Sequence, residues 1–296
     1  MPDSRFSFVP DLPSVEPVLG FATYADALAH AIAETEPAQF TVGIYGPWGS
    51  GKSSLLKAIA ARLEAAHPDT VIVVEFDAWR YQRNQELVVP LLHAVYRKVA
   101  EKGEESLAAA AGRLMRAVAL SLSFRLPVVG RDVSLGEIKE AWSEADTLDA
   151  ALDEAFALPF ENLRTMGQRL GNRRIVILVD DLDRCSVDTV TAMLESINAI
   201  TDVAGFVFVL ALDYDVIVRA VNAKYPTVNG HQFVEKIIQV PFRIPGLDAS
   251  EDALLPTLVP AMDLGKDLST GDAELARMVD LAFGANPRST KRLSTP

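Results

Sequence analysis

The sequence predicts an α/β fold built around a mostly parallel five-stranded sheet. Apolar runs of strand length alternate with segments of helical spacing over most of the chain. The runs VIVVEF at 71–76 and GFVFVLAL at 205–212 are nearly continuous rather than alternating, as strands buried on both faces are. The run FTVGIY at 40–45 leads through GPWGSGKS at 46–53 directly into a helical segment.

Taken in order, Pro2, Pro10, Pro13 and Pro17 mark residues 1–20 as an extended leader. Residues 22–35 have helical spacing, and Gly46 and Pro47 end the strand at 40–45. In the helix at 52–66, Leu55, Leu56, Ile59, Ala60 and Leu63 share one face. The strand at 71–76 follows. Residues 84–170 contain no comparable strand and read as a helical insertion broken at Pro127–Gly130. A strand at 174–179, a helix at 187–200, the strand at 205–212 and a helix at 214–223 come next. Residues 237–244, IIQVPFRI, read as the fifth strand. The core is thus assigned to 21–83 and 171–246. Residues 247–296 read as a helical C-terminal segment with a break at Asn286-Pro287.

Composition narrows the function classes. The chain has 296 residues, 49% hydrophobic and 23% charged, as a globular protein does. A net charge of −12 argues against binding nucleic acid through a globally basic surface. The single cysteine, Cys185, excludes an intrachain disulfide and reads as small apolar filler. The first twenty residues lack the apolar stretch of a signal peptide. The most apolar long stretch, 107–124, is interrupted by Arg113 and Arg116. No membrane span is expected, and the cytoplasm is the expected compartment. Leu107, Ala111, Leu114, Val118 and Leu122 fall on one helical face there. That face reads first as packing on its own domain, and second as a peripheral membrane or partner contact.

In sheets of this kind, ligands bind at the carboxyl ends of the strands. GPWGSGKS satisfies G-x-x-x-x-G-K-[ST] at every fixed position, with a strand before it and a helix after it. Glycines let such a loop turn its backbone N–H groups inward onto phosphate oxygens, and the helix start adds its positive dipole end. The candidate phosphate-binding set is Gly46, Pro47, Trp48, Gly49, Ser50, Gly51, Lys52, Ser53 and Ser54. Lys52 would bring a point charge to the β- and γ-phosphates, and Ser53 a hydroxyl to Mg²⁺. Trp48 reads first as packing beneath the loop.

VDDLDRCS at 179–186 supplies the acidic partner. Asp180 is assigned to the Mg²⁺ shell and Asp181 to polarising the attacking water, since successive strand residues point to opposite sides. Asp183 and Arg184 read either as a surface ion pair with a helix cap or as an interface signal; Arg184 could pair with Asp181 or Asp183, or reach a phosphate on this or a neighbouring subunit. Ser186 is the better-placed cap for the helix at 187–200. Asp213, after the fourth strand, reads either as a γ-phosphate sensor or as the cap of the next helix.

These segments together resemble the KAP family of P-loop NTPases: GIYGPWGSGKSSLL, EFDAWRYQ at 75–82, VILVDDLDRC, FVFVLALDYDVI and EKIIQVPFRIP at 235–245. The resemblance runs from about Phe21 to Arg292. It implies strand order 5-1-4-3-2, ATP with Mg²⁺ as the cofactors, and nucleotide-site roles for Lys52, Ser53, Asp180 and Asp181. NPRSTKR at 286–292 resembles an arginine-bearing family segment, which makes Arg288 a candidate γ-phosphate contact. The family includes animal membrane-associated signalling scaffolds and bacterial proteins of phage exclusion and defence. Protein partners or a homo-oligomer are therefore expected. Relatives continue past the position of Pro296, which implies either a shortened chain or reliance on a partner. Trp79 and Tyr81, in the DAWRY stretch, read first with Trp79 as an anchor of the helical insertion, and second as shaping the catalytic pocket with Asp77 or Arg80. Two functions remain: an ATPase switch or motor, and a nucleotide-gated scaffold with negligible hydrolysis.

Overall fold

A computed structural model describes residues 21–82, 87–123 and 158–245. The expected leader, the C-terminal helical segment with Arg288, and the middle of the insertion lie outside the described residues.

Five strands form one parallel sheet: β1 (Gln39–Tyr45), β2 (Val71–Asp77), β3 (Arg174–Asp180), β4 (Phe206–Leu212) and β5 (Val240–Arg243). Their spatial order is β2-β3-β4-β1-β5, the expected 5-1-4-3-2 read from the other edge. The helices among the described residues are α1 (Phe21–Glu34), α2 (Lys52–Ala66), α3 (Val88–Glu101), α4 (Glu105–Ser123), α5 (Leu158–Leu170), α6 (Val187–Thr201), α7 (Tyr214–Lys224) and α8 (Gly230–Ile237).

Period-two alternation divides the core into two layers. Phe40, Val42 and Ile44 of β1, Val176 and Leu178 of β3, and Val207 and Val209 of β4 face α1 and α2. Their neighbours Ile72, Val74, Ile175, Ile177, Phe206 and Phe208 face the other helices. This explains the continuous apolar runs, because each side of the central strands meets a helical layer.

On α4, Leu107, Ala111 and Leu114 are buried in the second layer with Val118 against it, while Arg113 and Arg116 are exposed. The apolar face is therefore occupied by the domain's own core; the side chain of Leu122 lies outside those described. Among the described residues, no helix is long and apolar enough to cross a membrane.

One element differs from expectation. The strand expected at 237–244 is shorter, and the helix α8 precedes it. Asn229 caps α8 by accepting from the N–H groups of His231 and Gln232. Val234 and Ile237 then bury one face of the helix. Gly230 allows the close approach to α7, since a Cβ there would lie 2.8 Å from the Val218 carbonyl oxygen. β5 is an edge strand, where the missing N–H of Pro241 is tolerated.

The buried Arg174 at the start of β3 ties the sheet to α1. Its guanidinium donates to the carbonyls of Ile32 and Thr35 (2.9 and 3.0 Å) and pairs with Glu36 at 2.7 Å. It thus satisfies carbonyls that the C-terminus of α1 leaves unpaired.

Candidate functional site

Parallel register brings the strand ends to one edge. Tyr45 of β1 sits beside Leu212 and Arg243, and Asp77 of β2 beside Asp180. The loop 46–51 leaves β1 at this edge and delivers the chain into α2. Gly49 and Gly51 have φ of 81° and 95°, a region that side-chain-bearing residues rarely adopt. A Cβ on Gly51 would also lie 2.8 Å from the ring of Phe21, so the first residue of α1 props the loop.

Lys52 is buried at the first position of α2. Its Nζ donates to the carbonyls of Gly46 and Pro47 at 2.8 and 3.1 Å, curling the loop around the ammonium. Burial holds its pKa below the ordinary lysine value, with Asp183, Asp213, Asp180 and Asp181 acting in the opposite direction. The hydroxyl of Ser50 is buried and has no hydrogen-bond partner. Such a group is costly to leave unpaired. A loop with an orphaned hydroxyl and a buried cation fits a polyanion. Ser53 follows Lys52 in the first turn of α2 and is half-buried.

At the end of β3, the Asp180 carboxylate accepts from the N–H of Asp181 (2.9 Å), and its carbonyl accepts from the N–H of Ala78 (3.0 Å). Asp181 is left-handed, φ 56°, the one non-glycine residue with positive φ among the described residues. Its Oδ1 lies 2.9 Å from Arg184 Nε. Burial and the neighbouring Asp180 push its carboxyl up to about 6, against the pull of Arg184. Burial likewise raises the Cys185 thiol to about 11, in keeping with inert filler packed on the core.

Asp183 corrects the expectation of a surface pair. It lies in a one-turn 3₁₀ segment, Leu182–Arg184, and is buried. Its Oδ2 accepts from the N–H of Asp213 at 2.8 Å and lies 3.8 Å from Lys52 Nζ. It therefore joins the tip of β4 to the phosphate loop. Ser186, as expected, caps α6 through the N–H of Thr189. Asp213 caps α7, accepting from the N–H groups of Asp215 and Val216.

The aromatic residues also differ from expectation. Trp48 is 55% exposed rather than packed beneath the loop, and Trp79 is 46% exposed rather than buried against the described part of the insertion. Arg184 meets both rings: its Cζ lies 5.7 Å from each centroid. Tyr81, stacked on Phe76 with centroids 5.3 Å apart, packs against the core instead. Sequence reasoning missed Arg243, which lies over the rings of Tyr45 and Tyr214. The available signal was its place at the end of the fifth strand. The Tyr45 hydroxyl there is raised to about 12 by burial.

A family model described as the KAP family P-loop domain matches residues 21–295. The chain belongs to this family. The phage T7 exclusion protein of Escherichia coli (strain K12) is 24% identical over 261 residues, which cover 81% of this chain and 34% of that protein. The chain thus spans about a third of that relative's length. The kinase D-interacting substrate of 220 kDa, from rat and human, is 30% identical over 74 residues, covering 23% of this chain and 4% of that protein. Among solved structures, domain III of the Thermotoga maritima replication initiation protein DnaA matches with a TM-score of 0.43 at 13% identity, covering 97% of this chain and 87% of that one.

In KAP terms, the site combines a nucleotide-type phosphate loop with an acidic strand end. No group of three or more His, Cys, Asp or Glu residues is arranged to hold a metal ion among the described residues. The donor set suits a metal that takes most of its oxygen ligands from elsewhere, as Mg²⁺ does from phosphates. Ser53 and Asp180 are the residues that would hold it.

Proposed function

We propose that this KAP domain binds ATP with Mg²⁺ and hydrolyses it as a molecular switch or motor. The observation that carries the reading is Lys52, a cation buried inside its own glycine loop with the Asp183 carboxylate 3.8 Å from its ammonium. Lys52 would bind the β- and γ-phosphates, and the N–H groups of the loop would orient them. Bound Mg²⁺ would neutralise charge on the phosphate oxygens. Asp181 would hold the attacking water and accept its proton, and a carboxyl raised towards neutrality suits a base. Asp213 and Arg288 are further proposed contacts to the γ-phosphate.

A steady-state phosphate-release assay tests this. Lys52→Ala and Asp181→Asn should each reduce turnover about a hundredfold or more. Unchanged turnover in either variant refutes the corresponding role.

One observation favours a second reading. The Asp181 carboxylate is committed to Arg184, and a chain that keeps it so would bind ATP without turning it over. Saturable ATP binding with no phosphate release would establish such a nucleotide-gated scaffold.

A role in exclusion of phage, acting with a protein partner or a second copy, is the proposed biology. It draws on the relationship to the E. coli exclusion protein. Cells expressing the chain should resist infection only when Lys52 is intact.

A further inference from the structure

We propose that Arg184 is the positioning residue for the Asp181 carboxylate, and that Trp48 and Trp79 hold its guanidinium for that task. The inference rests on the reading of Asp181 as the water-orienting base. Arg184 grips Asp181 at two points. Its Nε pairs with Oδ1 at 2.9 Å, and its backbone N–H donates to the Asp181 carbonyl at 3.3 Å. The left-handed backbone of Asp181 sends its side chain in a direction that no neighbour in β3 would impose. A carboxylate so placed needs a rigid partner to define it.

Arginine meets that need where lysine would not. Its planar fork bonds through an edge while its faces remain available to aromatic rings. Both rings approach at 5.7 Å, and they come from separate segments. Trp48 belongs to the phosphate loop, and Trp79 follows β2. Large aromatic side chains this exposed gain little from burial, and each sets a ring against the Arg184 guanidinium. Trp48 also follows Pro47, whose carbonyl accepts from Lys52. The loop that would hold phosphate therefore also lends a ring to the guanidinium that positions the carboxylate. Asp183, on the same 3₁₀ turn, fixes the turn from its buried side.

The test is steady-state phosphate release by the full chain with ATP and Mg²⁺, read as kcat and KM separately. Arg184→Lys should lower kcat about tenfold or more while KM stays within about twofold. Trp79→Leu should lower kcat severalfold, and Trp79→Phe should recover most of the loss. The double variant R184K/W79L should be no slower than R184K, because Trp79 acts through Arg184. Unchanged kcat in R184K overturns the proposal. So do losses that multiply in the double variant, or a KM that rises in step with the fall in kcat. Wild-type chain that binds nucleotide without releasing phosphate overturns both this proposal and the base role of Asp181. That outcome appears before any substitution is made. Normal wild-type turnover with an indifferent Arg184 removes this inference alone.

Discussion

Asp181 carries two costs at once, a left-handed backbone and a carboxyl raised to about 6. A raised value means that the folded chain holds the proton more tightly than the unfolded chain does. This group's stabilisation is therefore fully present below its ordinary value of 3.8 and is lost as pH rises through about 6. Without nucleotide, Asp181→Asn should gain in Tm relative to the wild type across that window. A difference that stays flat with pH would remove the titration from Asp181. Asp183 shows the limit of reading such residues from sequence. Beside Asp180, Asp181 and Arg184 it looked like one more surface charge. Its burial is set by Lys52 and by the Asp213 N–H, both distant in the chain. Trp48 and Trp79 misled for the opposite reason. Aromatic residues usually pack inward, whereas these two stay largely exposed and meet Arg184, which arrives from a third segment.

Elements with self-contained signals were legible. α2 begins at Lys52, as expected, because the glycines before it leave only one place for the helix to start. β3 and β4 were legible because strands covered on both sides need no alternation. α8 was not, because GHQFVEKI is short and runs into the apolar residues before β5. The contact that fixes it, Gly230 against α7, is tertiary. The anchoring of α1 was equally hidden, since Arg174 at the head of an apolar run looks like a strand-end charge. Removing it by Arg174→Ala strands the carbonyls of Ile32 and Thr35. The expected loss is about 3 kcal/mol, close to the cost of breaking a buried charged hydrogen-bonded group. Denaturant unfolding should show it as a lower midpoint with an unchanged slope. A loss below roughly 0.5 kcal/mol, typical of a surface substitution, would demote this contact.

For the molecule as a whole, the sheet places a loop that fits phosphate and a cluster of carboxylates at one edge. Phosphate with Mg²⁺ would offset the mutual repulsion of Asp180, Asp181 and Asp183. Any ligand that binds only the folded state raises its stability, by about 2.7 kcal/mol at a hundredfold excess over Kd. ATP with Mg²⁺ should therefore raise the melting temperature by several degrees, and EDTA should reverse much of the gain. No shift at saturation would remove nucleotide binding itself. The exposed tryptophans add a second consequence, which is optical. The chain has three indoles, Trp48, Trp79 and Trp142, and Trp48 rides on the phosphate loop. With Trp79 and Trp142 replaced by phenylalanine, the remaining emitter sits within the loop and against a guanidinium. Its emission wavelength or intensity should change as nucleotide fills the loop, giving a binding curve without label or added dye. A spectrum indifferent to ATP, beside a positive thermal shift, would place the bound nucleotide away from Trp48.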